Sequence, residues 1–124
     1  MPAVHRLLTD DAHERLVCER CVVADKPHTR LRGLLGRDRL PTGEGLLLKP
    51  TPSVHTCFMR FPIDVVFLDA RMQVLSVAPD MGPWKFAGRR GTRAVLELAA
   101  GEAERRGIGE GVVLKLAKGD RDVA

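Results

Sequence analysis

The apolar positions along this chain fall mostly in short runs that predict β-strands. Two runs near the start, Val4–Thr9 and Leu16–Ala24, flank the polar pair Asp10-Asp11 and predict an antiparallel pair. Pro79–Gly91 holds two Pro and three Gly and predicts a long loop. Further runs of the strand type are Leu46–Leu48, Val54–Met59, Ile63–Leu68, Gln73–Ala78, Arg93–Leu98 and Val112–Leu116.

Helical patterns occur in two short segments. The segment after Asp25-Lys26-Pro27 begins with a capping signal and carries leucines three and four apart before Gly36. Ala99–Arg106 consists of helix-forming residues that end at Gly107. Because the strands do not alternate regularly with helices, we predict a mainly β (α+β) fold, an antiparallel β-barrel or sandwich-like domain with two short helices.

Size and composition predict one cytoplasmic domain. The chain has 124 residues, the usual size of a single domain, and we expect that domain to span residues 1–124, with 117–124 as a flexible polar tail. We predict a cytoplasmic protein with free thiols, because the chain has three cysteines, an odd number that cannot all pair, and its sequence shows no export signal. No apolar run reaches the length of a membrane span, and the sequence carries no signal of oligomeric state.

The mild positive charge does not by itself predict a nucleic-acid partner. The net charge is +4 and aromatic residues make up only 4% of the chain, which argues against the stacking platforms of single-strand binding. Two clusters of basic residues, Arg30/Arg32/Arg37/Arg39 and Lys85/Arg89/Arg90/Arg93, are therefore interpreted as a solvated basic surface.

Five stretches form an ordered set of motifs: Arg30–Arg37, Val54–Asp69, Gly82–Trp84, Val95–Gly101 and Gly107–Gly111. Together they resemble the bacterial and archaeal family known as domain of unknown function 192. The resemblance covers about residues 16–116 and implies a compact, mainly β domain, but it implies no activity. The three cysteines are not part of the family pattern.

Chemically useful side chains in separate segments suggest a polar pocket. If the fold brings them together, they combine cationic, anionic and aromatic groups above a floor of Met and Trp, which suits a small anionic or carbohydrate-like ligand. We therefore favour a non-enzymatic binding or accessory module without a cofactor. The candidate binding residues are Arg30, Arg37, His55, Met59, Asp64, Trp84 and Glu97.

Two carboxylates within predicted strands support an alternative. Asp64 and Glu97 have apolar neighbours, so each should either pair with a cation or have a raised pKa. Two such groups in one cleft could act as acid and base, and His55 could also transfer a proton. The structural alternative is a buried ion pair that fixes strand register.

The cysteines support a third interpretation, a metal or thiol protein. Cys18 and Cys21 are three residues apart, so on a regular strand they point to opposite faces and could bind one metal only around a turn. His55, Cys57 and Met59 share one strand face and carry donors that copper prefers. Consecutive side chains on that face are about 7 Å apart, too far for one ion.

Overall fold

A computed structural model describes residues 4–24, 39–51, 53–55, 61–82 and 86–118. Within these ranges the chain forms nine strands and one short helix, α1 (Glu102–Arg105). The strands are β1 (Val4–Thr9), β2 (Leu16–Ala24), β3 (Glu44–Leu48), β4 (Ser53–His55), β5 (Ile63–Leu68), β6 (Val74–Met81), β7 (Phe86–Gly88), β8 (Ala94–Ala99) and β9 (Leu114–Lys118).

Seven strands form one mixed sheet in the order β6-β5-β8-β3-β2-β1-β9, and β4 pairs with β7 in a separate ladder. The mainly β class and the antiparallel β1–β2 pair are confirmed. The prediction that all pairs are antiparallel is wrong, because β2 and β3 run parallel. Nineteen residues, 25–43, join these two strands, and parallel neighbours need a crossover of about a dozen residues or more.

The predicted barrel or sandwich is not confirmed, because the seven-stranded sheet is not closed. The residues that immediately precede its two end strands, Gln73 before β6 and Val113 before β9, form a single isolated bridge. Beside the bridge the Val74 N–H donates to the Val112 carbonyl oxygen at 2.8 Å, and the Leu114 N–H donates to that of Met72 at 2.9 Å. The end strands therefore meet at one point and do not form a ladder.

Several predicted boundaries shift. The loop expected over Pro79–Gly91 is wrong in part, because β6 continues to Met81 and β7 occupies Phe86–Gly88. Of the two predicted helices, the second is present but shortened to α1, and the first lies outside the described residues. The strand predicted over Val54–Met59 is described only as β4, and β9 extends into the start of the expected tail.

The large sheet carries an apolar cluster on each face, because side chains alternate along each strand. We call them the Leu96 face, which includes Leu47, Val66 and Leu98, and the Val95 face, which includes Leu46, Ile63, Val65 and Phe67. All six residues of β5 are buried, so both faces are covered at that strand.

In the described part of the chain, no helix has the length and hydrophobicity required to cross a membrane.

Candidate functional site

Glu97 is a buried carboxyl in the centre of the sheet. Its strand β8 lies between β3 and β5, and its register partners are Leu46 on one side and Val65 on the other. Both partners belong to the Val95 face, and the Glu97 residue is only 4% exposed. No hydrogen bond or ion pair joins this carboxyl to any other side chain in the described ranges. Glu97 is thus a polar group set among aliphatic neighbours.

Burial raises the pKa of Glu97 from 4.5 to about 7. The cause is loss of hydration, which disfavours the charged carboxylate more than the neutral acid. The neutral acid can donate one hydrogen bond and accept others, whereas the carboxylate only accepts. Near neutral pH the group can therefore present either form to a ligand.

The small β4–β7 ladder lies over the Val95 face close to β8. Ala87 of β7 packs against the apolar cluster of that face, and the Thr51 N–H donates to the Arg93 carbonyl oxygen at 2.9 Å, immediately before β8. At the end of this ladder the backbone of His55 pairs with that of Phe86. The fold therefore brings the segment that carries His55 to the same face of the sheet as Glu97.

Four other predicted members of this pocket lie outside the described residues. Met59 follows His55 by four positions in the sequence, and Trp84 precedes Phe86 by two. Arg30 and Arg37 belong to the segment that connects β2 to β3. Their part in a pocket stays a prediction.

Asp64 has a different environment and occupies the opposite face. It is fully buried, and its Oδ1 and Oδ2 accept hydrogen bonds from the N–H groups of Asp80 and Ala103, each at 2.9 Å. Its register partner on β8 is Leu98, on the Leu96 face, whereas Glu97 pairs with Val65 on the Val95 face. The partners of Asp64 are backbone groups, and this carboxylate ties β5 to the end of β6 and to α1.

The two carboxylates proposed as an acid–base pair are consequently separated by the sheet. Asp64 borders an open depression of ≈ 570 Å³ beside α1, whose wall includes Asp80, Glu104 and Ile108. Glu97 does not line this depression. A mechanism that places both groups in one cleft does not fit this geometry.

Cys18 and Cys21 point to the same face, contrary to the expectation from a regular strand. The β1–β2 register runs from the pair His5–Cys21 to the pair Leu7–Cys18, so β2 contains one residue more than β1 between them. This is a β-bulge, which resets the alternation of side chains. Both cysteines are fully buried in the apolar cluster of the Leu96 face.

A metal centre finds no support among the described side chains. No group of three or more His, Cys, Asp or Glu residues in these ranges could hold a metal ion. Cys57 lies outside the described residues, and of His55 only the backbone is described. A metal site made of Cys18, Cys21, His55 and Cys57 therefore stays a prediction.

Sequence reasoning missed Arg106, which joins α1 to the bulge of β2. Its guanidinium contacts both carboxylate oxygens of Glu19 at 3.0 and 3.2 Å, Oε1 of Glu102 at 3.3 Å and the Leu16 carbonyl oxygen at 3.2 Å. These contacts raise the pKa of Arg106 and lower that of Glu19, with the Arg106–Glu19 hydrogen bonds as the largest cause for both. The i,i+4 spacing of Glu102 and Arg106 could have indicated half of this cluster.

The chain belongs to the DUF192 family, an uncharacterised ACR family, whose sequence profile matches residues 8–116. A Sinorhizobium meliloti 1021 protein, described provisionally as a transcription regulator, has a similar structure, with a TM-score of 0.81 and 23% identity over 93% of this chain and 95% of that one. A Novosphingobium aromaticivorans DSM 12444 protein of unknown function is similar too, with a TM-score of 0.77 and 24% identity over 93% and 92% of the two chains. No curated protein matches the sequence. At this level of identity the two structures show the fold alone.

Proposed function

We propose that this member of the DUF192 family is a non-enzymatic binding module whose pocket lies on the Val95 face, between Glu97 and the β4–β7 ladder. The observation that carries the proposal is that no described side chain pairs with the buried Glu97 carboxyl. An internal carboxyl normally has a partner, because burying an unpaired one is costly. Here the described side chains supply none.

The chemistry of Glu97 favours a small carbohydrate-like ligand. A hydroxyl group can donate to the carboxylate or accept from the neutral acid, so either protonation state of Glu97 has a complementary partner. An anionic group on the same ligand would suit Arg30 and Arg37, and Trp84 would offer an apolar surface to a sugar ring. These three residues enter the proposal from the sequence pattern, as do His55 and Met59.

Ligand-observed NMR tests this proposal with defined probes. Saturation-transfer spectra would be recorded for D-glucose and D-gluconate, with butyrate as an anion that lacks hydroxyl groups. We expect transfer to at least one of the two polyhydroxylated probes with the wild type and loss of that signal with Glu97→Leu, which removes both the donor and the acceptor at this position. Glu104→Leu is the matched control, because Glu104 is exposed and lines the depression on the opposite side of the sheet.

Three outcomes of this experiment would contradict the proposal. No transfer to either sugar probe, equal transfer with wild type and Glu97→Leu, or equal transfer to butyrate would each contradict hydroxyl recognition at Glu97. Circular dichroism of each variant shows whether a lost signal comes from a lost site or from a lost fold.

A proton-transfer enzyme is a second candidate, favoured by the pKa of about 7 at Glu97. A general acid or base works best with a pKa near the working pH. Asp64 is on the wrong face to be its partner, so His55 is the residue left for that role. Chemical conversion of a bound probe by the wild type, absent with Glu97→Gln, would favour the enzyme; an unchanged probe would favour the binding module.

A further inference from the structure

The β-bulge in β2 creates a pair of thiols that the proposed pocket does not use. A regular strand would separate Cys18 and Cys21, but the extra residue between their register positions turns both toward the Leu96 face. The Cys18 thiol donates a hydrogen bond to the Gly43 carbonyl oxygen at 3.3 Å. Both side chains are fully buried in the same apolar cluster, so the bulge makes them neighbours on one face of one strand.

The two thiols are not equivalent. Hydrogen bonding from the Cys21 S–H to a thiolate at Cys18 lowers the pKa of Cys18, and the same interaction together with burial raises the pKa of Cys21. One thiol is thus suited to attack an oxidant first and the other to resolve the product. The charges of Glu19 and Arg106 act on Cys18 and that of Lys49 acts on Cys21. His5 is the register partner of Cys21 on β1.

The cover over Cys18 on the β3 side consists of backbone. Gly45 has no side chain, and a Cβ there would lie 2.9 Å from the Cys18 sulfur. Gly43 supplies the carbonyl that the Cys18 thiol contacts, at the turn before β3. Both cysteines have no exposed area, so a small oxidant suits the site better than a bulky disulfide.

We propose that Cys18 and Cys21 form a reversible redox site, converted by a peroxide to an intramolecular disulfide. The Cys18 sulfur attacks one oxygen of hydrogen peroxide, the O–O bond breaks and Cys18 becomes a sulfenic acid, while the departing hydroxide takes up the proton that the Cys18 thiol has lost and becomes water. The Cys21 sulfur then attacks the Cys18 sulfur, the S–O bond breaks, and the departing hydroxide takes the Cys21 proton. The two thiols lose two electrons, and the peroxide becomes two waters.

The sequence provides a direct assay of this bond. Trypsin cleaves after Arg20, between the two cysteines, so reduced protein yields the separate peptides Leu16–Arg20 and Cys21–Arg30, since Lys26 precedes a proline. The folded full-length protein would be treated with hydrogen peroxide, blocked with iodoacetamide in denaturant, digested and analysed by mass spectrometry. We expect the two peptides to remain joined, with a mass two hydrogens below their sum, and to separate after dithiothreitol.

Variants identify the partners in the bond. Cys57→Ser should retain the linked peptides, whereas Cys18→Ala and Cys21→Ala should each lose them. The wild-type digest carries the test even where a variant folds poorly.

Four results would overturn the proposal: recovery of both cysteines in alkylated form, irreversible oxidation of either cysteine to a sulfonic acid, linkage of either one to Cys57, or formation of the Cys18–Cys21 bond only in urea. The last result would show that the folded arrangement does not favour the bond. Loss of sugar binding by Glu97→Leu is independent of every one of these outcomes.

Discussion

Replacing Glu97 by Gln should change how the stability of this protein depends on pH. Glutamine has nearly the shape of the neutral acid but does not ionise, so the variant removes the proton equilibrium and preserves the side-chain volume. In the wild type the folded-state pKa is raised from 4.5 to about 7. This pKa shift from 4.5 to about 7, at about 1.4 kcal/mol per unit, corresponds to a change of about 3 kcal/mol in the free energy of unfolding.

The sign of this pH dependence follows from whether the folded or the unfolded state holds the Glu97 proton. Between pH 4.5 and about 7 the folded protein holds the Glu97 proton and the unfolded chain has released it. Stability therefore falls as pH rises through this window; the contribution is complete below pH 4.5 and lost above about 7. The free energy of unfolding of Glu97→Gln should match that of the wild type at pH 4.5 and exceed it by about 3 kcal/mol at pH 8.

Urea unfolding at pH 4.5, 6, 7 and 8, followed by circular dichroism, measures this difference. A gain of about 3 kcal/mol corresponds to a midpoint shift of roughly 1–3 M urea for m-values of about 1–3 kcal/mol per M. Glu110→Gln is the control, because its side chain is exposed and its profile should run parallel to that of the wild type. Parallel profiles for Glu97→Gln would refute the reasoning, since they would show that the buried carboxylate has a compensating cation.

Three further substitutions test other parts of the structure by urea unfolding at pH 7. Asp64→Asn should lower the free energy of unfolding by about 2–3 kcal/mol, because the amide replaces one of the two oxygens that accept backbone hydrogen bonds. The control Asp69→Asn should lower it by less than about 1 kcal/mol, because a single Asp69 oxygen accepts both backbone hydrogen bonds and the amide can keep it. Equal losses for the two variants would contradict this account. Arg106→Met should lower the free energy of unfolding by about 1–3 kcal/mol, because the Arg106 side chain is 15% exposed and forms ion pairs with Glu19 and Glu102. The control Arg105→Met should lower it by about 0–1 kcal/mol, because the Arg105 side chain is 61% exposed. A larger loss for Arg105→Met would show that the ranking by burial is wrong. Gly45→Ala should lower the free energy of unfolding by about 1–3 kcal/mol, because its Cβ would lie 2.9 Å from both the Cys18 sulfur and Leu98 Cδ2. Gly109→Ala is the control, because there is open space around Gly109. An unchanged urea midpoint for Gly45→Ala would mean that β3 moves to accommodate the methyl group.

Local sequence patterns determined the strands well where apolar runs were bounded by polar turns. Val4–Thr9, Leu16–Ala24 and Ile63–Leu68 are strands with the predicted ends, because alternation and turn residues act within a few positions of the chain. The family resemblance was equally accessible, since it depends on ordered motifs, and the match over residues 8–116 confirms it. The apolar neighbours of Glu97 were also visible in the sequence and led to the expectation of a raised pKa, which the structure supports.

Only the tertiary structure decided which side chains share a surface. The parallel β2–β3 pair and the open sheet depend on contacts between distant segments, which local patterns do not specify. Asp64 and Glu97 looked equivalent as carboxyls in apolar strands, yet strand register places them on opposite faces and gives only Asp64 a set of backbone donors. Regular alternation would separate Cys18 and Cys21, but one extra residue in β2 places both side chains on the same face. The physical reason is the same in each case: strand pairing fixes the direction of a side chain, and pairing partners are chosen by the whole fold.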